Sequence, residues 1–310
     1  MKGHDTAVTE SRPHPLFAHG TLLDPQVRAA LFGRTVPTAP ASLAGHTAGP
    51  LETAADGRDL RPTLQRGFGG TVEGAVLWLT DRELAAADAH EGDDCARRRV
   101  LLTSGEPAWA HLDARPLRPA ARIVIVGDSI AYGRCDPQGG WAAHLAAAHI
   151  ASNETDHRVF NLAVPGSTLA DVAAQTPPLL APRHPDTLVV AAGINDSAVQ
   201  LAAPDTARDN LSHLADHLAP LAATALRHNA RMVVVGPSWL DETRLDDYEG
   251  LRFTTARALV LRAALRAWCE GNHIDFIDLW EPLRDRPHLF VDGVHPTPEG
   301  HKELFRHLST

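Results

Sequence analysis

The chain has 310 residues, of which 44% are hydrophobic and 22% charged, a composition typical of a soluble globular protein long enough for two domains. Its formal net charge is −9, from 38 acidic and 29 basic residues, and no run is rich in lysine or arginine. This pattern excludes the basic surface by which proteins bind nucleic acid. We therefore expect a small-molecule partner.

Three cysteines lie far apart and form no CxxC pair, which indicates isolated thiols in a reducing compartment. The polar start of the chain lacks the apolar core of a secretory signal, and no apolar stretch approaches the roughly 18 residues of a membrane-spanning helix. These features predict a cytoplasmic protein without a membrane partner. They leave its oligomeric state open.

The first hundred residues predict a small α+β, barrel-like domain over residues 1–112. Short runs predict its strands, with short helices between them: Leu16–Ala18, Thr71–Trp78, Val100–Thr103 and Ala108–Leu112. The glycine-rich segment Gly67–Gly70 lacks the lysine of a phosphate-binding loop and precedes a strand, so it is interpreted as a turn. Residues 113–121 contain two prolines and no periodic apolar pattern, which indicates a linker.

Beyond the linker, apolar runs alternate with helical patterns over residues 122–310. This alternation predicts a three-layer α/β/α domain built on a parallel sheet, with strands at Arg122–Val126, Val159–Ala163, Thr187–Ala191, Met232–Val235 and Ile274–Ile277. Apolar residues at three- and four-residue steps predict a helix over 205–226, which Pro220 bends or divides. Ligands of such sheets bind at the carboxyl ends of the strands.

Ser129 directly follows the first of these strands, and Asp292 and His295 come near the end of the chain. A serine hydroxyl is a weak nucleophile at neutral pH, so it needs a histidine base and a carboxylate that orients the histidine. The sequence around Ser129 is not the GxSxG elbow of α/β-hydrolases, because Ala131 occupies the place of the second glycine.

Four sequence blocks, in this order, resemble those of the SGNH (GDSL) hydrolase family over about 190 residues: Gly127–Ile130, Asn161–Gly166, Gly193–Asp196 and Asp292–Pro296. The resemblance implies a catalytic triad of Ser129, His295 and Asp292. It also implies an oxyanion hole formed by the backbone N–H groups of Ser129 and Gly166 and the side-chain amide of Asn195. It implies no cofactor and no metal.

Each residue also has a plainer interpretation. Ser129 is a possible helix cap, Gly166 a turn glycine, Asn195 a loop-capping amide, and His295 is one of 18 histidines. Taken together, the four blocks favour catalysis. Asp128 and Asp196 are interpreted as structural residues. His301 and His307 are interpreted as surface histidines, because their spacing does not place them on one helical face as metal ligands.

Three segments of the first domain, Leu16–Leu22, Val72–Thr80 and Leu84–Gly92, resemble the γ-glutamyl cyclotransferase-like family. In that chemistry the substrate's own α-amine attacks its γ-carbonyl and releases 5-oxoproline, so no enzyme nucleophile is needed. The resemblance implies that Gly20, Thr21 and Leu22 bind the glutamyl group and that Glu91 transfers the proton.

The first domain departs from the family pattern at three positions that are usually aromatic, His19, His90 and Cys95. Glu91 also begins the acidic run Glu91–Asp94, and the alternative interpretation is that it is a solvated carboxylate without a catalytic role. Two interpretations therefore stand beside each other: a catalytic domain and a non-catalytic binding module.

The sequence as a whole predicts a two-domain serine esterase or acyl hydrolase that forms an acyl-Ser129 intermediate. A second activity would release 5-oxoproline from a γ-glutamyl amide. Because the domains are fused, we hypothesise that both act on one acylated, γ-glutamylated intermediate in natural-product tailoring. The alternatives are an SGNH hydrolase with a binding module, and an acyltransferase in which an alcohol or amine intercepts the acyl-serine.

Overall fold

The computed structural model describes residues 13–49, 63–117, 120–202 and 211–309. These residues form two compact units. The first comprises the described residues up to Gln65 together with Gly69–Ala114, and the second comprises Arg66–Phe68 together with the described residues from Arg115 onward. The predicted fold class, a three-layer α/β domain on a parallel sheet preceded by a small α+β, barrel-like domain, is confirmed.

The first unit is a curled five-stranded sheet with two helices. Its elements are β1 (His14–Ala18), α1 (Pro25–Phe32), β2 (Thr38–Ala48), β3 (Leu64–Leu79), α2 (Asp81–Glu91), β4 (Cys95–Leu101) and β5 (Pro107–Asp113). The strand order is β2-β3-β1-β5-β4, and β3 also pairs with β5 at Leu64 and Leu112. This extra pairing closes the sheet on itself, as the barrel-like prediction requires.

Three features of the first unit differ from the sequence prediction. The strand predicted at Val100–Thr103 is β4, which begins at Cys95 and ends at Leu101. Strand β2 was not predicted, because its sequence buries only Leu43 and His46 and shows no regular alternation. Gly67–Gly70 lies inside β3 and not in a turn. A glycine is required there because a Cβ on Gly70 would lie 2.5 Å from the carbonyl oxygen of His46 on the neighbouring strand.

The second unit is built on a five-stranded parallel sheet. Its strands are β6 (Arg122–Gly127), β7 (Arg158–Asn161), β8 (Thr187–Ala191), β10 (Arg231–Val235) and β12 (Asp275–Ile277), in the order β12-β10-β8-β6-β7. All five positions agree with the predicted strands to within one or two residues. A separate antiparallel pair joins β9 (Val199–Gln200) to β11 (Leu251–Arg252).

The helices of this unit are α3 (Ser129–Tyr132), α4 (Gly140–Ser152), α5 (Leu169–Leu180), α6 (Ile194–Ser197), α7 (Leu214–Arg227), α8 (Thr255–Asn272), α9 (Trp280–Leu283) and α10 (Pro298–Leu308). The predicted helix over 205–226 corresponds to α7, which continues through Pro220 and is not divided there. Its predicted start lies outside the described residues. No helix of the described segments is long and apolar enough to cross a membrane.

Alternate residues of β6 point to opposite faces of the sheet, and each face carries a helical layer. Ile123 and Ile125 pack with α4 and α10, whereas Val124 and Val126 pack with α5, α7 and α8. Burial on both faces explains why the strands are continuous apolar runs. The sheet therefore holds the carboxyl ends of its strands at one edge, where the loops carry the polar residues.

The structure describes most of the predicted linker 113–121. Leu117 and Ala120 are buried in the apolar cluster beside β6, and residues 118 and 119 lie outside the described residues. The boundaries 1–112 and 122–310 stay a prediction.

Candidate active site

Ser129 lies where the chain leaves β6 and begins the one-turn helix α3. The Asp128 side chain caps that helix, accepting a hydrogen bond from the Ile130 N–H at 3.0 Å. Ser129 therefore lies at the edge of the sheet. Because it is only 5% exposed, its hydroxyl has little contact with bulk water. The serine itself is not the helix cap, because Asp128 fills that position.

His295 links Ser129 to Asp292. Its Nε2 lies 2.8 Å from Ser129 Oγ, and its Nδ1 lies 2.7 Å from Asp292 Oδ2. Asp292 Oδ1 accepts the backbone N–H groups of Val294 and His295, at 3.0 and 2.8 Å. A carboxylate fixed in this way leaves Nδ1 as the protonated ring nitrogen and Nε2 as the acceptor facing the hydroxyl.

The electrostatics of Asp292 favour its charged form. Burial by itself would raise the pKa of this carboxyl group, but the hydrogen bonds from the ring and backbone of His295 and the charge of that ring outweigh burial. The pKa of Asp292 is therefore held well below its usual range. An ionised carboxylate in this position stabilises the imidazolium that forms when His295 takes a proton.

Tyr248 is a contact of the site that the sequence analysis missed. Its hydroxyl donates to Asp292 Oδ2 at 3.1 Å, and its ring lies 6.1 Å from the His295 ring, centroid to centroid. Burial and the neighbouring Asp292 charge raise the pKa of Tyr248 to about 12, so the hydroxyl stays a donor. No motif marks this tyrosine, because it lies on a loop more than forty positions before Asp292.

The nucleophile block makes backbone contacts with the second block and with the end of β8, the strand that precedes the third block. The Val164 N–H donates to the Gly127 carbonyl at 3.0 Å, and the Asp128 N–H donates to the Ala191 carbonyl at 3.2 Å. The Asn195 side-chain amide donates to the Ser167 carbonyl at 2.9 Å. The structure thus brings all four sequence blocks to the carboxyl edge of the sheet.

Gly166 lies in the loop after β7 and Asn195 in the one-turn helix α6 after β8, and their role as oxyanion donors stays a prediction. Gly166 is exposed and has a φ of +82°, a conformation that glycine adopts without strain. The Asn195 amide carries two N–H bonds, and its contact with Ser167 uses one of them. That contact does not use the second N–H.

Asp128 and Asp196 are buried, and each accepts a backbone N–H, Asp196 from Leu169 at 3.0 Å. Burial raises the pKa of Asp128 to about 7 and that of Asp196 to about 6, and backbone hydrogen bonds offset part of this effect. Asp196 also raises the pKa of Asp128 through charge repulsion. Both side chains therefore cap the backbone N–H groups at the start of a helix, and the removal of each carboxyl group from water has a free-energy cost.

The interpretation of His301 as a surface residue is wrong, whereas His307 is exposed as expected. His301 is completely buried, its Nδ1 lies 3.4 Å from the backbone nitrogen of Trp141, and its Nε2 lies 3.1 Å from the Arg134 carbonyl oxygen. Burial lowers its pKa. The neutral ring supports the loop that follows Ser129.

That loop also places a thiol beside the triad. Cys135 Sγ, an oxygen of Asp292 and a nitrogen of His295 all lie within 4.8 Å of one another. Burial, together with the charge of Asp292, raises the pKa of the Cys135 thiol. This is the group of residues in the described chain that offers donor atoms to a metal ion.

In the first unit, the loop that follows β1 forms a short 3-10 helix over Gly20–Leu23. Gly20 has a φ of +62°, Thr21 is exposed, and the Leu22 side chain is buried against β1. Thr21 Oγ1 lies 3.4 Å from Nε2 of His90 on α2. The loop and the end of α2 are therefore neighbours.

Glu91 is the last residue of α2 and is partly exposed. Burial lowers the pKa of His19, the charge of Glu91 opposes this shift, and His111 adds to it. His111 in turn lies 2.8 Å from an Asp88 oxygen. The charges of Glu91 and His111 thus act on His19, the residue that follows β1, and the second site stays a prediction.

Comparison with known proteins follows the same division of the chain. The model of the GDSL-like lipase/acylhydrolase family matches residues 125–303. The model of the AIG2-like γ-glutamyl cyclotransferase family matches residues 16–125.

The esterase TesA of Pseudomonas aeruginosa is 32% identical over 139 residues, which cover 44% of this chain and 64% of that protein, less than two thirds of its length. A crystal structure of TesA has a TM-score of 0.47 and 23% identity, over 60% of this chain and 95% of that one. The crystal structure of LAE5, an α/β hydrolase from the metagenome of Lake Arreo, Spain, has a TM-score of 0.45 and 21% sequence identity. The match covers 60% of this chain and 92% of that one. The model of the GDSL-like lipase/acylhydrolase family matches more than half of this chain, and the chain therefore belongs to that family.

Proposed function

We propose that the second unit hydrolyses carboxylic esters of small molecules through an acyl-Ser129 intermediate. The observation that carries this proposal is the continuous hydrogen-bonded chain Ser129–His295–Asp292, with contacts of 2.8 and 2.7 Å. Membership of the GDSL-like family and similarity to an esterase support the same activity.

In acylation, Ser129 Oγ bonds to the substrate carbonyl carbon while His295 Nε2 takes the hydroxyl proton. The carbonyl oxygen becomes an oxyanion facing the N–H groups of Ser129, Gly166 and Asn195. Each such donor contributes about 10²–10³ in rate. The bond to the alcohol oxygen then breaks, and His295 returns the proton to the leaving alkoxide.

In deacylation, a water molecule replaces the alcohol. His295 takes a proton from the water, the resulting hydroxide attacks the acyl-serine, and the acid leaves as Ser129 regains its proton. An alcohol or amine in place of water gives acyl transfer by the same steps. Product analysis with added acceptors separates hydrolysis from transfer.

The test is hydrolysis of p-nitrophenyl esters of increasing acyl length. Ser129→Ala is expected to lower kcat by at least about 10³-fold, because it removes the nucleophile. Ser152→Ala, at an exposed serine on α4, is the matched control and is expected to keep full activity. Full activity in Ser129→Ala would require a different nucleophile.

For the first unit we propose release of 5-oxoproline from a γ-glutamyl amide, with Glu91 moving the proton and Gly20, Thr21 and Leu22 forming the binding loop. The family match and the contact between Thr21 and His90 support this activity. Here 5-oxoproline release that is lost in Glu91→Gln supports catalysis. Absence of release from the wild-type chain favours a binding module.

The hypothesis that both units act on one intermediate has its own test. A conjugate with an ester at one end and a γ-glutamyl amide at the other should lose both groups to the wild-type chain. Ser129→Ala should then block only ester cleavage, and Glu91→Gln only 5-oxoproline release. A panel of such conjugates in which no compound is processed at both ends rejects the shared substrate.

A further inference from the structure

Cys135 has no role in the proposed catalytic cycle, yet the backbone holds it beside the triad. The N–H groups of Gly133 and Arg134 both donate to the Ser129 carbonyl, at 3.2 and 2.9 Å, so the chain folds back immediately after the nucleophile. Cys135 follows with a φ of +71°, in the left-handed region, and its side chain is partly buried. This turn directs the thiol toward Asp292 and His295.

The three side chains present a metal-ligand set. A thiol sulfur, a carboxylate oxygen and an imidazole nitrogen lie within 4.8 Å of one another. Tetrahedral Zn²⁺ binds such atoms at about 2.0–2.3 Å, which separates its ligands by about 3–4 Å. A side-chain movement of about 1 Å is therefore enough to bring the three donors to one ion.

The donor types select among cations. Thiolate and imidazole ligands favour Zn²⁺ and similar ions over Mg²⁺ and Ca²⁺, which prefer oxygen. A thiolate and a carboxylate together carry two negative charges, which a divalent ion neutralises. Three protein ligands leave the fourth position of a tetrahedral ion to water or to a substrate oxygen.

We propose that Cys135, Asp292 and His295 bind a thiophilic divalent cation such as Zn²⁺, and that its binding reversibly inhibits the esterase. On binding, the Cys135 thiol releases its proton to solvent, the three donor atoms bond to the ion, and no electrons are transferred. If Nε2 binds the ion, the ring no longer faces the Ser129 hydroxyl. If Nδ1 binds it, the ring proton moves to Nε2. In both arrangements Nε2 cannot accept the Ser129 proton.

The spectroscopic test is titration of the chelator-treated full chain with Co²⁺, which gives a thiolate-to-metal charge-transfer band only when sulfur binds the ion. The wild-type protein and Cys95→Ser, at a cysteine of the first unit, are expected to show the band, and Cys135→Ser is expected to lose it. No band in the wild type, or an unchanged band in Cys135→Ser, would overturn the site. This measurement does not depend on ester hydrolysis.

The second test measures ester hydrolysis against Zn²⁺ concentration. Inhibition of the wild type should be reversed by EDTA, and Cys135→Ser should need at least about tenfold more Zn²⁺ for half-inhibition, a loss of about 1.4 kcal/mol in binding. Equal sensitivity of the two proteins would overturn the proposal. Because Cys135 has a positive φ, Cys135→Gly provides a second variant that suits the backbone if the serine variant folds poorly.

Discussion

Asp292 accepts two side-chain hydrogen bonds at the same oxygen, one from the His295 ring and one from the Tyr248 hydroxyl. The tyrosine does not touch the reacting atoms, so we regard it as a positioning residue. By holding Oδ2 from a second direction, it fixes the carboxylate plane against which the imidazole is oriented.

We expect Tyr248→Phe to lower kcat about tenfold while KM stays nearly unchanged. The ring would remain, but a hydrogen bond to a charged group, worth about 1.5–3 kcal/mol, would be lost. Steady-state hydrolysis of a p-nitrophenyl ester measures the effect. Tyr132→Phe is the matched control, since the Tyr132 ring is 55% exposed. A kcat equal to that of the wild type would show that Tyr248 does not position Asp292.

Asp128 predicts a pH dependence of stability. Its folded-state pKa, about 7, is higher than the ordinary value, so the folded chain holds this proton more tightly than the unfolded chain. The stabilising contribution of Asp128 to the free energy of unfolding is therefore fully present below about pH 4 and is lost as the pH rises toward about 7.

Asp128→Asn keeps the acceptor that caps α3 and removes the charge. Relative to the wild type, its melting temperature is expected to rise as the pH is raised from about 4 to about 8, by roughly 2–4 °C for each kcal/mol. Scanning calorimetry across this range measures the difference, with the exposed Asp156→Asn as control. A difference that does not change with pH would show that Asp128 is charged in the folded protein.

At the scale of elements, the loop between β10 and α8 supports the segment that carries Asp292 and His295. The Arg244 guanidinium donates to the carbonyl groups of Phe290, at 3.2 Å, and Val291. The Asp241 N–H donates to the Gly293 carbonyl at 2.8 Å. The segment that carries Asp292 is therefore held on both sides of this residue.

Arg244→Ala is expected to lower kcat by about 10–100-fold, because displacement of a catalytic group by about 1 Å has effects of this size. The melting temperature should fall only slightly, since the guanidinium lies at the surface. Kinetics and thermal unfolding, measured in parallel, separate these effects. Arg252→Ala, at an exposed arginine of β11, is the control. An unchanged kcat in Arg244→Ala would show that the segment that carries Asp292 holds its geometry without this contact.

The elements that the sequence predicted best are the buried ones. The five parallel strands are runs of apolar residues because both faces of the sheet are covered. Strand β2 was not predicted, because it belongs to a small curled sheet and buries few side chains. His301 had a usable signal, since it shares the helical spacing of Leu304 and Leu308, which are both buried.

For the whole molecule, the buried pair Arg231–Asp275 ties β10 to β12 at the start of both strands. The guanidinium donates to both carboxylate oxygens, at 2.5 and 2.8 Å, and both side chains are nearly inaccessible to water. Neither residue lies near Ser129 in the sheet, because the site occupies the opposite ends of the strands.

Asp275→Ala is expected to cost about 3–5 kcal/mol of unfolding free energy, because it leaves a buried cation without its partner. Calorimetry of the full chain should show this loss in the transition of the second unit. A double variant, Arg231→Met with Asp275→Leu, is expected to recover most of it. The exposed Glu281→Ala, which breaks a surface pair with Arg284, should cost less than about 1 kcal/mol. A small loss in Asp275→Ala would mean that water reaches Arg231.

The resemblance of the four sequence blocks to the SGNH family predicted that they meet. The parallel sheet explains this for the first three blocks, because each lies at the carboxyl end of one of its strands. The same logic does not extend to Tyr248, Arg244 and Cys135. These residues lie on loops whose paths depend on packing against neighbouring segments. The contacts of Tyr248 and Cys135 with the Asp292–His295 segment, and those of Arg244 with the carbonyl groups of Phe290 and Val291, therefore required the structure.

The central claim is that Ser129 is the nucleophile of a His295-dependent ester hydrolase. The most direct measurement is peptide mass spectrometry after reaction with a serine-reactive alkyl phosphonate. We expect one phosphonyl group, attached to Ser129, and its near absence when His295 is replaced by alanine. A phosphonyl group on another residue, or equally rapid labelling of the His295→Ala variant, would contradict the claim.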